Sequence, residues 1–446
     1  MPDYIFMLQS RLSPEQWQTL NQVQNLAQSI PVNLYLVGGA VRDLLTGLPI
    51  RDLDFAVEGN VFKLVRAFDE RELKRGSTDE SLHATELLFT NGVTVSVEMA
   101  RSEVYAKPGE KPEVKPAAIL EDLRRRDFSI NAIGISLNPG SRGLLLDPTN
   151  GLADIESRLL RVLHNYSFVH DPVRILRLVR FATRLNFRLE ARTESLFELA
   201  LQKKYYHLIT PAAARREMTQ LAAEDNPISI LKAWQSYGLL AVFQPRLQER
   251  GPDYAGLSKL QRYRQAAFVA GYRLDSFYLV LHYLLKRLKG REQHSLLRNL
   301  GLKKAEADRA LNLEYEVEKV VKLLRWQRKP KPREIYALLT PVPLEWLIFT
   351  LARFSQKRKV QAKVYNYLFK YRLLRQQLPV RELELLGVPH GPKFDEILEQ
   401  FFYARLEGKL RSRPEQMRFL KKLAGVGKPA RPARKKHAAK GSGDNA

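Results

Sequence analysis

The chain has no cysteine, which excludes disulfide bridges and thiolate metal sites and fits a reducing compartment. It is also short of acid: 48 Asp and Glu stand against 73 Lys and Arg, leaving a formal charge of +25. That imbalance is the electrostatic footprint of a polyanionic partner, nucleic acid first among them. Long apolar runs are missing too. The N-terminal MPDYIFMLQSRL holds only the short run YIFML, which predicts neither a signal peptide nor a membrane anchor and so a cytoplasmic, soluble chain. No sequence repeat is evident. What remains is 446 residues, 45% hydrophobic, enough for substantial cores in about three domains.

The most informative stretch is Leu36 to Asp54, LVGGAVRDLLTGLPIRDLD. Asn33 to Val37 reads as a buried strand that stops at Gly38-Gly39. Ala40 to Thr46 reads as a short helix, carrying Arg42 and Asp43, whose N-terminus would aim free backbone N–H groups at a phosphate chain. After Arg51 the chain re-enters a strand, and alternation puts Asp52 and Asp54 on one face with Leu53 and Phe55 on the other. Two carboxylates roughly 7 Å apart along a strand face can converge on a pair of divalent cations about 3.5–4 Å apart. Alone, a Gly-Gly pair is most often a turn and an Asp-x-Asp pair most often solvated surface. Together they point to metal-dependent nucleotidyl transfer. A dinucleotide fold competes, but the third glycine of GxGxxG is absent and the acid about 20 residues on is doubled.

Upstream, residues 14 to 30 predict an amphipathic helix with Trp17, Leu20, Val23 and Leu26 near one face, packed on the catalytic domain. Downstream come a helical segment at Val61 to Leu73 and strands at Thr85 to Thr90 and Val93 to Met99, joined by an Asn91-Gly92 turn. In the second strand Val93, Val95 and Val97 share the core face. Glu98 on the open face is either a third carboxylate of the site or a solvated strand residue. Prolines and glycine in Lys107 to Pro116 predict an irregular, mobile loop able to cover substrate. An apolar strand is expected at Gly143 to Leu146.

Two further segments carry charge in patterns suited to nucleotides. In EDLRRRDFSINA, residues 121 to 132, the arginines and Asp127 run directly into apolar Phe128 and Ile130. Arg125, Arg126 and Asp127, with Asn131 nearby, are either an internal ion-pair cluster or a fixed array meeting phosphate oxygens and a ribose hydroxyl. In HDPVRILRLVRFATRLNF, residues 170 to 187, Asp171 can cap a helix whose first turn holds Pro172. Arg174, Arg177, Arg180 and Arg184 recur at three- and four-residue steps. Asp171 and Arg174 are then neighbours, an intrahelical ion pair or a donor–acceptor pair for a base edge. From Ser157 onward helices predominate, at 172–186, 211–224, 228–240, 274–289, 303–325, 333–355 and 360–376. The basic, Pro/Ala-rich end after Gly427 predicts disorder.

LVGGAVRD with DLD, then RRDFSINA, LLDPTNGLADI and DPVRILRLVRFATRL resemble, in order and separation, the signatures of class II tRNA nucleotidyltransferases, the bacterial CCA-adding and poly(A) polymerase superfamily. The resemblance covers roughly residues 31 to 245, including WQSYGLLAVFQPRL at 234 to 247; residues 250 to 446 match only in being helical and basic. It implies an α+β chain with a polymerase-beta-like nucleotidyltransferase head built on a mixed sheet, followed by an all-α neck, body and tail. The implied extents are an N-terminal helix at 1–30, head 31–156, neck 157–225, body 226–330, tail 331–425 and a disordered basic end 426–446.

Position by position, the resemblance implies that Asp52 and Asp54 bind Mg²⁺, with Glu98 a further catalytic candidate. Gly38, Gly39 and Arg42 match the triphosphate-binding part of the first motif, and Arg126 and Asp127 the pair that selects a ribonucleotide. Asp171 and Arg174 match the protein template for the incoming ATP or CTP base; Asn131, Arg177 and Arg180 complete the expected nucleotide-binding set. Lys107 to Glu121 lies where the family has its flexible switching loop. His170 stands where many members have an acid, Ser129 where threonine is usual, and Ser77 to Thr85 departs from the family's FGTA-like stretch. The implied reaction is addition of CMP and AMP to the 3′ end of tRNA, with basic clusters such as Arg325 to Arg333 and Lys357 to Lys359 contacting RNA phosphates. A poly(A) polymerase, a CC-only or A-only enzyme, and an RNA-binding protein with a decayed head are the alternatives. No membrane partner is expected, and the oligomeric state stays open.

Overall fold

The computed structural model describes residues 3–326 and 330–425. The expected disordered end, 426–446, lies outside the described residues, as does part of the basic run 325–333. The chain divides into two compact units, residues 1–258 with 276–311 and residues 259–275 with 312–446.

The first unit opens with helices α1 (Tyr4–Arg11) and α2 (Pro14–Gln28). Ser13 and Gln16 start α2 by a reciprocal cap, each side chain accepting from the other's backbone N–H at 3.2 and 3.0 Å. Gln16 then donates to the Ile50 carbonyl at 2.9 Å and Gln24 to that of Leu137 at 2.8 Å, so the polar edge of α2 is fastened to the head. Next come β1 (Asn33–Val37), α3 (Gly39–Thr46), β2 (Leu53–Glu58), α4 (Val61–Arg66), β3 (Leu73–Asp79), β4 (Ala84–Phe89) and β5 (Thr94–Met99). A hairpin of β6 (Arg101–Val104) and β7 (Glu113–Pro116) follows, then α5 (Ile119–Arg124), β8 (Gly134–Ser136) and β9 (Leu145–Leu146). The main sheet has the order β3-β4-β5-β2-β1-β8-β9, with β2 and β5 parallel and the other neighbours antiparallel. It is therefore the mixed sheet expected of the head.

Register decides which carboxylates meet. Asp54 on β2 pairs across to Ser96 on β5, and Glu98 lies two residues further along the same face of β5, opposite Ala56. Val95, Val97 and Met99 fill the other, buried face. The open faces of β2 and β5 are thus continuous.

The helical part of this unit begins with α6 (Gly151–Ser157), α7 (Ser167–His170), α8 (Val173–Leu185), α9 (Ala191–Gln202), α10 (Pro211–Ala223) and α11 (Pro227–Ser236). Trp234 of α11 is fully buried, stacks on Phe243 and donates its indole N–H to the Leu176 carbonyl of α8 at 3.0 Å. In the second unit Leu383, Val388, Phe394, Ile397, Phe401 and Leu420 form one core cluster. The expected head-then-helices architecture is what the chain adopts.

Several local expectations need correction. Helix α4 stops at Arg66 because Asp69 turns the chain, accepting the Arg71 N–H at 2.9 Å, and the segment beyond joins the sheet as β3. The prolines of Lys107 to Pro116 do not forbid a strand: Glu113–Pro116 pairs with Arg101–Val104 at a two-stranded edge, where a missing N–H is tolerated. The strand expected at Gly143 to Leu146 shortens to Leu145–Leu146, after which Asp147 accepts the N–H groups of Gly151 and Leu152 at 2.7 and 2.9 Å and starts α6. The helix expected over 333–355 breaks into Pro332–Leu339 and Leu344–Arg353 around Pro341 and Pro343. Among the described residues no single helix is long and apolar enough to cross a membrane.

Trp234→Ala should destabilise the chain by about 3–5 kcal/mol, the cost of emptying a buried indole site. Denaturant unfolding of the purified variant checks this, and a midpoint shift below about 1 kcal/mol would show that α8 and α11 do not depend on that ring.

Candidate active site

A cleft of about 1010 Å³ opens above the sheet, with walls formed by β2, β5, the β6–β7 hairpin, α8 and α10. Gly38, Gly39, Arg42, Asp52, Asp54, Glu98, Arg126, Asp127, Asn131, Asp171, Arg174, Arg177 and Arg180 all line it. The structure therefore brings together every site residue expected from the sequence.

The Gly-Gly exit makes room for a carboxylate. Gly38 has φ +65°, and a methyl group on Gly39 would sit 3.3 Å from an Asp54 oxygen. A methyl on Gly38 would sit 3.1 Å from the Arg126 guanidinium. Asp54 is at the start of β2, whereas Asp52 lies just before the strand, at an exposed bend. The two acids face the same cleft, though not as successive residues of one strand face. Burial, then the negative charges of Asp52 and Glu98, push Asp54 up to about 7 against the pull of Arg126 and Arg42. Glu98 also pairs with Arg101 at 3.4 Å.

This crowding of negative charge against glycine backbone fits a divalent ion. Among the described residues no three His, Asp or Glu side chains form a closed metal cage. An open site of two carboxylates suits ions whose remaining positions go to water and phosphate oxygens.

Around the acids runs a closed circuit of charged groups. Arg42 pairs with Asp43 at 2.7 Å and donates to Asn131 Oδ1 at 2.7 Å; Asn131 Nδ2 donates to Asp127 Oδ1 at 2.9 Å. Asp127 Oδ2 meets Arg177 at 2.9 Å, and Arg177 meets Glu217 at 3.4 Å. Glu217 also holds Arg180, which reaches Glu224 at 2.8 Å; Glu224 meets Arg184 at 3.6 Å, and Arg184 returns to Asp43 at 2.9 Å. Phe181 lies between the guanidinium groups of Arg42 and Arg180, each under 5 Å from its ring centre. Burial works against the charge of Asp127, but Arg177 and Arg174 outweigh it and hold the carboxyl at about 2.

Sequence reasoning missed the acidic half of this circuit. Glu217 and Glu224 are each 2% exposed and stand seven residues apart, Glu217 within α10 and Glu224 at the extended residue that ends it. Acids at that spacing, beside an arginine row on another helix, were the available signal. Asp122 was missed as well: fully buried, it accepts from the Arg101 N–H at 3.1 Å and pairs with Arg125 and Arg126 at 2.5 and 2.9 Å.

Asp171 does not serve as the expected cap. The residue before α8 is Pro172, with no capping side chain, and the Asp171 carboxylate faces the cleft. Arg174 gives its Nη atoms to the carbonyls of Arg125 and Arg126 at 3.1 and 3.2 Å and to Ser167 Oγ at 2.9 Å. Its Nε, 3.6 Å from Asp171 Oδ2, is buried with no hydrogen-bond partner. His170 is stacked between Tyr105 and Tyr166 at 5.2 and 5.7 Å. The Gly109 N–H donates to its carbonyl at 3.3 Å, while Lys111 pairs with Asp79 at 3.0 Å. The β6–β7 hairpin is therefore anchored beside Asp171.

Fold and cleft together define a nucleotidyltransferase head, and residues 34–161 match the poly A polymerase head domain. Over most of its length the chain is similar to class II tRNA nucleotidyltransferases, the CCA-adding enzymes, a family that works with divalent metal ions. The A-adding tRNA nucleotidyltransferase of Halalkalibacterium halodurans is 29% identical over 94% of this chain and 95% of its own length. That of Geobacter sulfurreducens is 27% identical over 91% of this chain, which spans 47% of it. A multifunctional CCA protein of Thioalkalivibrio sulfidiphilus is 35% identical over 48% of this chain and 51% of its own. Among solved structures, a CCA-adding enzyme in apo form II aligns at TM-score 0.53 and 26% identity, covering 94% and 98% of the two chains. A tRNA nucleotidyltransferase complexed with a primer tRNA and an incoming ATP analog aligns at 0.50 and 28%, covering 79% and 99%.

Two stability outcomes follow. Glu217→Gln removes the buried carboxylate that Arg177 and Arg180 share, leaving them Asp127 and Glu224, and should cost about 3 kcal/mol, the lower end for breaking a buried pair, in denaturant unfolding. Asp54→Asn should do the reverse in a chelator at pH 8. A carboxyl raised from 3.8 to about 7 loses stability as pH climbs through that window, so the amide should raise the melting midpoint by about 2–4 °C. The gain should vanish below pH 4, where the acid is protonated in both folded and unfolded chains.

Proposed function

We propose that this chain adds CMP and AMP from CTP and ATP to the 3′ end of tRNA, without a nucleic-acid template, in the cytoplasm. One observation carries the reading: a carboxylate pair, a glycine-lined turn, the buried Asp127 carboxylate and an unsatisfied Arg174 Nε beside Asp171 share one cleft.

Asp52 and Asp54 would hold divalent ions, for which we propose Mg²⁺, and ions bound there supply the Lewis acidity that lowers the pKa of the RNA 3′-OH and offsets charge on pyrophosphate. The protein's own share is positioning. Gly38 and Gly39 let the triphosphate approach the backbone, with Arg126 beside it and Arg42 held behind by Asp43 and Asn131. Asp127 accepts three protein hydrogen bonds, from the Phe128 N–H, Asn131 and Arg177, and so keeps acceptor capacity for a ribose hydroxyl.

Base choice follows from polarity. Arg174 Nε donates and Asp171 accepts. Cytosine and adenine each present an amino donor next to a ring-nitrogen acceptor, the complement of that pair; uracil and guanine present the reverse order. A single donor–acceptor pair thus accepts CTP and ATP and rejects UTP and GTP. The in-line attack of the 3′-OH on the α-phosphate then depends on how firmly these groups hold both reactants.

A second reading has its own support: the two relatives that align over 91% and 94% of this chain are A-adding enzymes. Single labelled nucleotides, offered to a tRNA lacking CCA and to one ending in CC, separate the readings. CMP transfer to the first and AMP to the second is the expected result. AMP transfer to the CC end alone identifies an A-adding enzyme, and AMP transfer to any RNA end a poly(A) polymerase. Asp52→Ala should lower incorporation by more than the roughly 10–100-fold lost when a group merely supporting a metal ligand is removed; undiminished transfer overturns the site.

A further inference from the structure

The cations of the cleft are matched to carboxylates. Arg42, Arg177, Arg180 and Arg184 belong to the charged circuit; Arg51 pairs with Glu224 at 3.1 Å, and Arg101 and Arg125 both meet Glu103. Among the described residues Arg216 of α10 is the exception. It is exposed, it lines the cleft, and it makes no ion pair or hydrogen bond.

Its place on α10 is specific. Ala212, Ala213, Arg216, Glu217 and Gln220 all line the cleft, at the three- and four-residue steps of one helix face. Glu217 is consumed by Arg177 and Arg180. The two alanines leave space, so Arg216 and Gln220 are the polar groups this wall offers a ligand. From the carboxylates the wall is reached through Arg126, Asp127, Arg177 and Glu217 in turn, so it stands apart from the glycine turn. A cleft of about 1010 Å³ also lies at the upper end of the roughly 300–1,000 Å³ typical of single-ligand pockets, leaving room beside one nucleotide.

Resting on the proposed function, we infer that Arg216, with Gln220 one turn later, binds a phosphodiester of the acceptor RNA strand near its 3′ end. The nucleotide's triphosphate already has the glycine turn and Arg126. The RNA backbone entering the cleft has no other cation lacking an internal partner, and a guanidinium fork suits two phosphate oxygens.

The test measures binding of a tRNA lacking its terminal nucleotides over a salt series, and the KM for ATP, in wild type, Arg216→Ala and Arg216→Lys. The side chain has no internal partner, so the melting midpoint of both variants should match wild type. Arg216→Ala should weaken tRNA binding about tenfold and reduce the slope of log affinity against log salt by about 1, with the ATP KM unchanged. Arg216→Lys should restore the slope. Unchanged affinity and slope in Arg216→Ala overturn the inference, and a raised ATP KM with tRNA binding intact overturns it in favour of the triphosphate. Failure of the wild type to bind or extend tRNA would instead be failure of the proposed function, visible before any variant is compared.

Discussion

The structure of the catalytic unit depends on a closed circuit of charge that runs from Arg42 and Asp43 on α3, through Asn131 and Asp127, into the arginine row of α8, Glu217 of α10 and Glu224 just past its end. Most of its ions are removed from water, which is costly, and each is tolerated because it has a partner on either side. Such a circuit has little freedom to slide. Moving α8 by one residue would leave Glu217, Glu224 and Asp43 facing the wrong guanidinium groups. Geometry is thereby set among a helix next to the glycine turn, the Asp127 segment and the helix that carries Arg174. Apolar packing such as the buried Trp234–Phe243 stack also holds the helices together, but it is less particular about register.

That rigidity explains how one cleft can keep unlike groups in unlike states. Asp127, ringed by arginines, stays ionised; Asp54, crowded by Asp52 and Glu98, is pushed the other way until a cation offsets its neighbours. Burial and Arg174 lower His170, and burial, Arg174 and His170 hold His164 at about 4. Burial and Arg174 thus both disfavour a charge on the His170 ring between Tyr105 and Tyr166. The β6–β7 hairpin packs against that ring through Tyr105 and the Gly109 N–H.

Much of the site was legible in the residues because its chemistry is local. A strand ending in Gly38-Gly39, two aspartates with one residue between them and an aspartate three residues before an arginine each constrain a few successive positions, and backbone periodicity does the rest. What was misread was decided by tertiary packing or by turns that periodicity does not show. Asp171 looked like a helix cap, but its carboxylate turns into the cleft. The Lys107 to Pro116 segment looked irregular, yet it found an edge to pair with. Helix α4 was expected to run on to Leu73, where Asp69 instead turned the chain toward the sheet.

The sequence by itself determined the class of chemistry, the mixed-sheet head followed by helices, and the identity of groups that line the cleft, because motif spacing and alternation are properties of consecutive residues. Only the tertiary structure decided which charges would be spent on one another. Glu217, Glu224 and Asp122 read as ordinary surface acids along the chain, and Arg216 reads no differently from Arg215 beside it. Folding pairs Arg215 with Glu306 and leaves Arg216 to the cleft, a distinction that arises because a counter-ion is chosen by proximity in space, which the order of residues does not record.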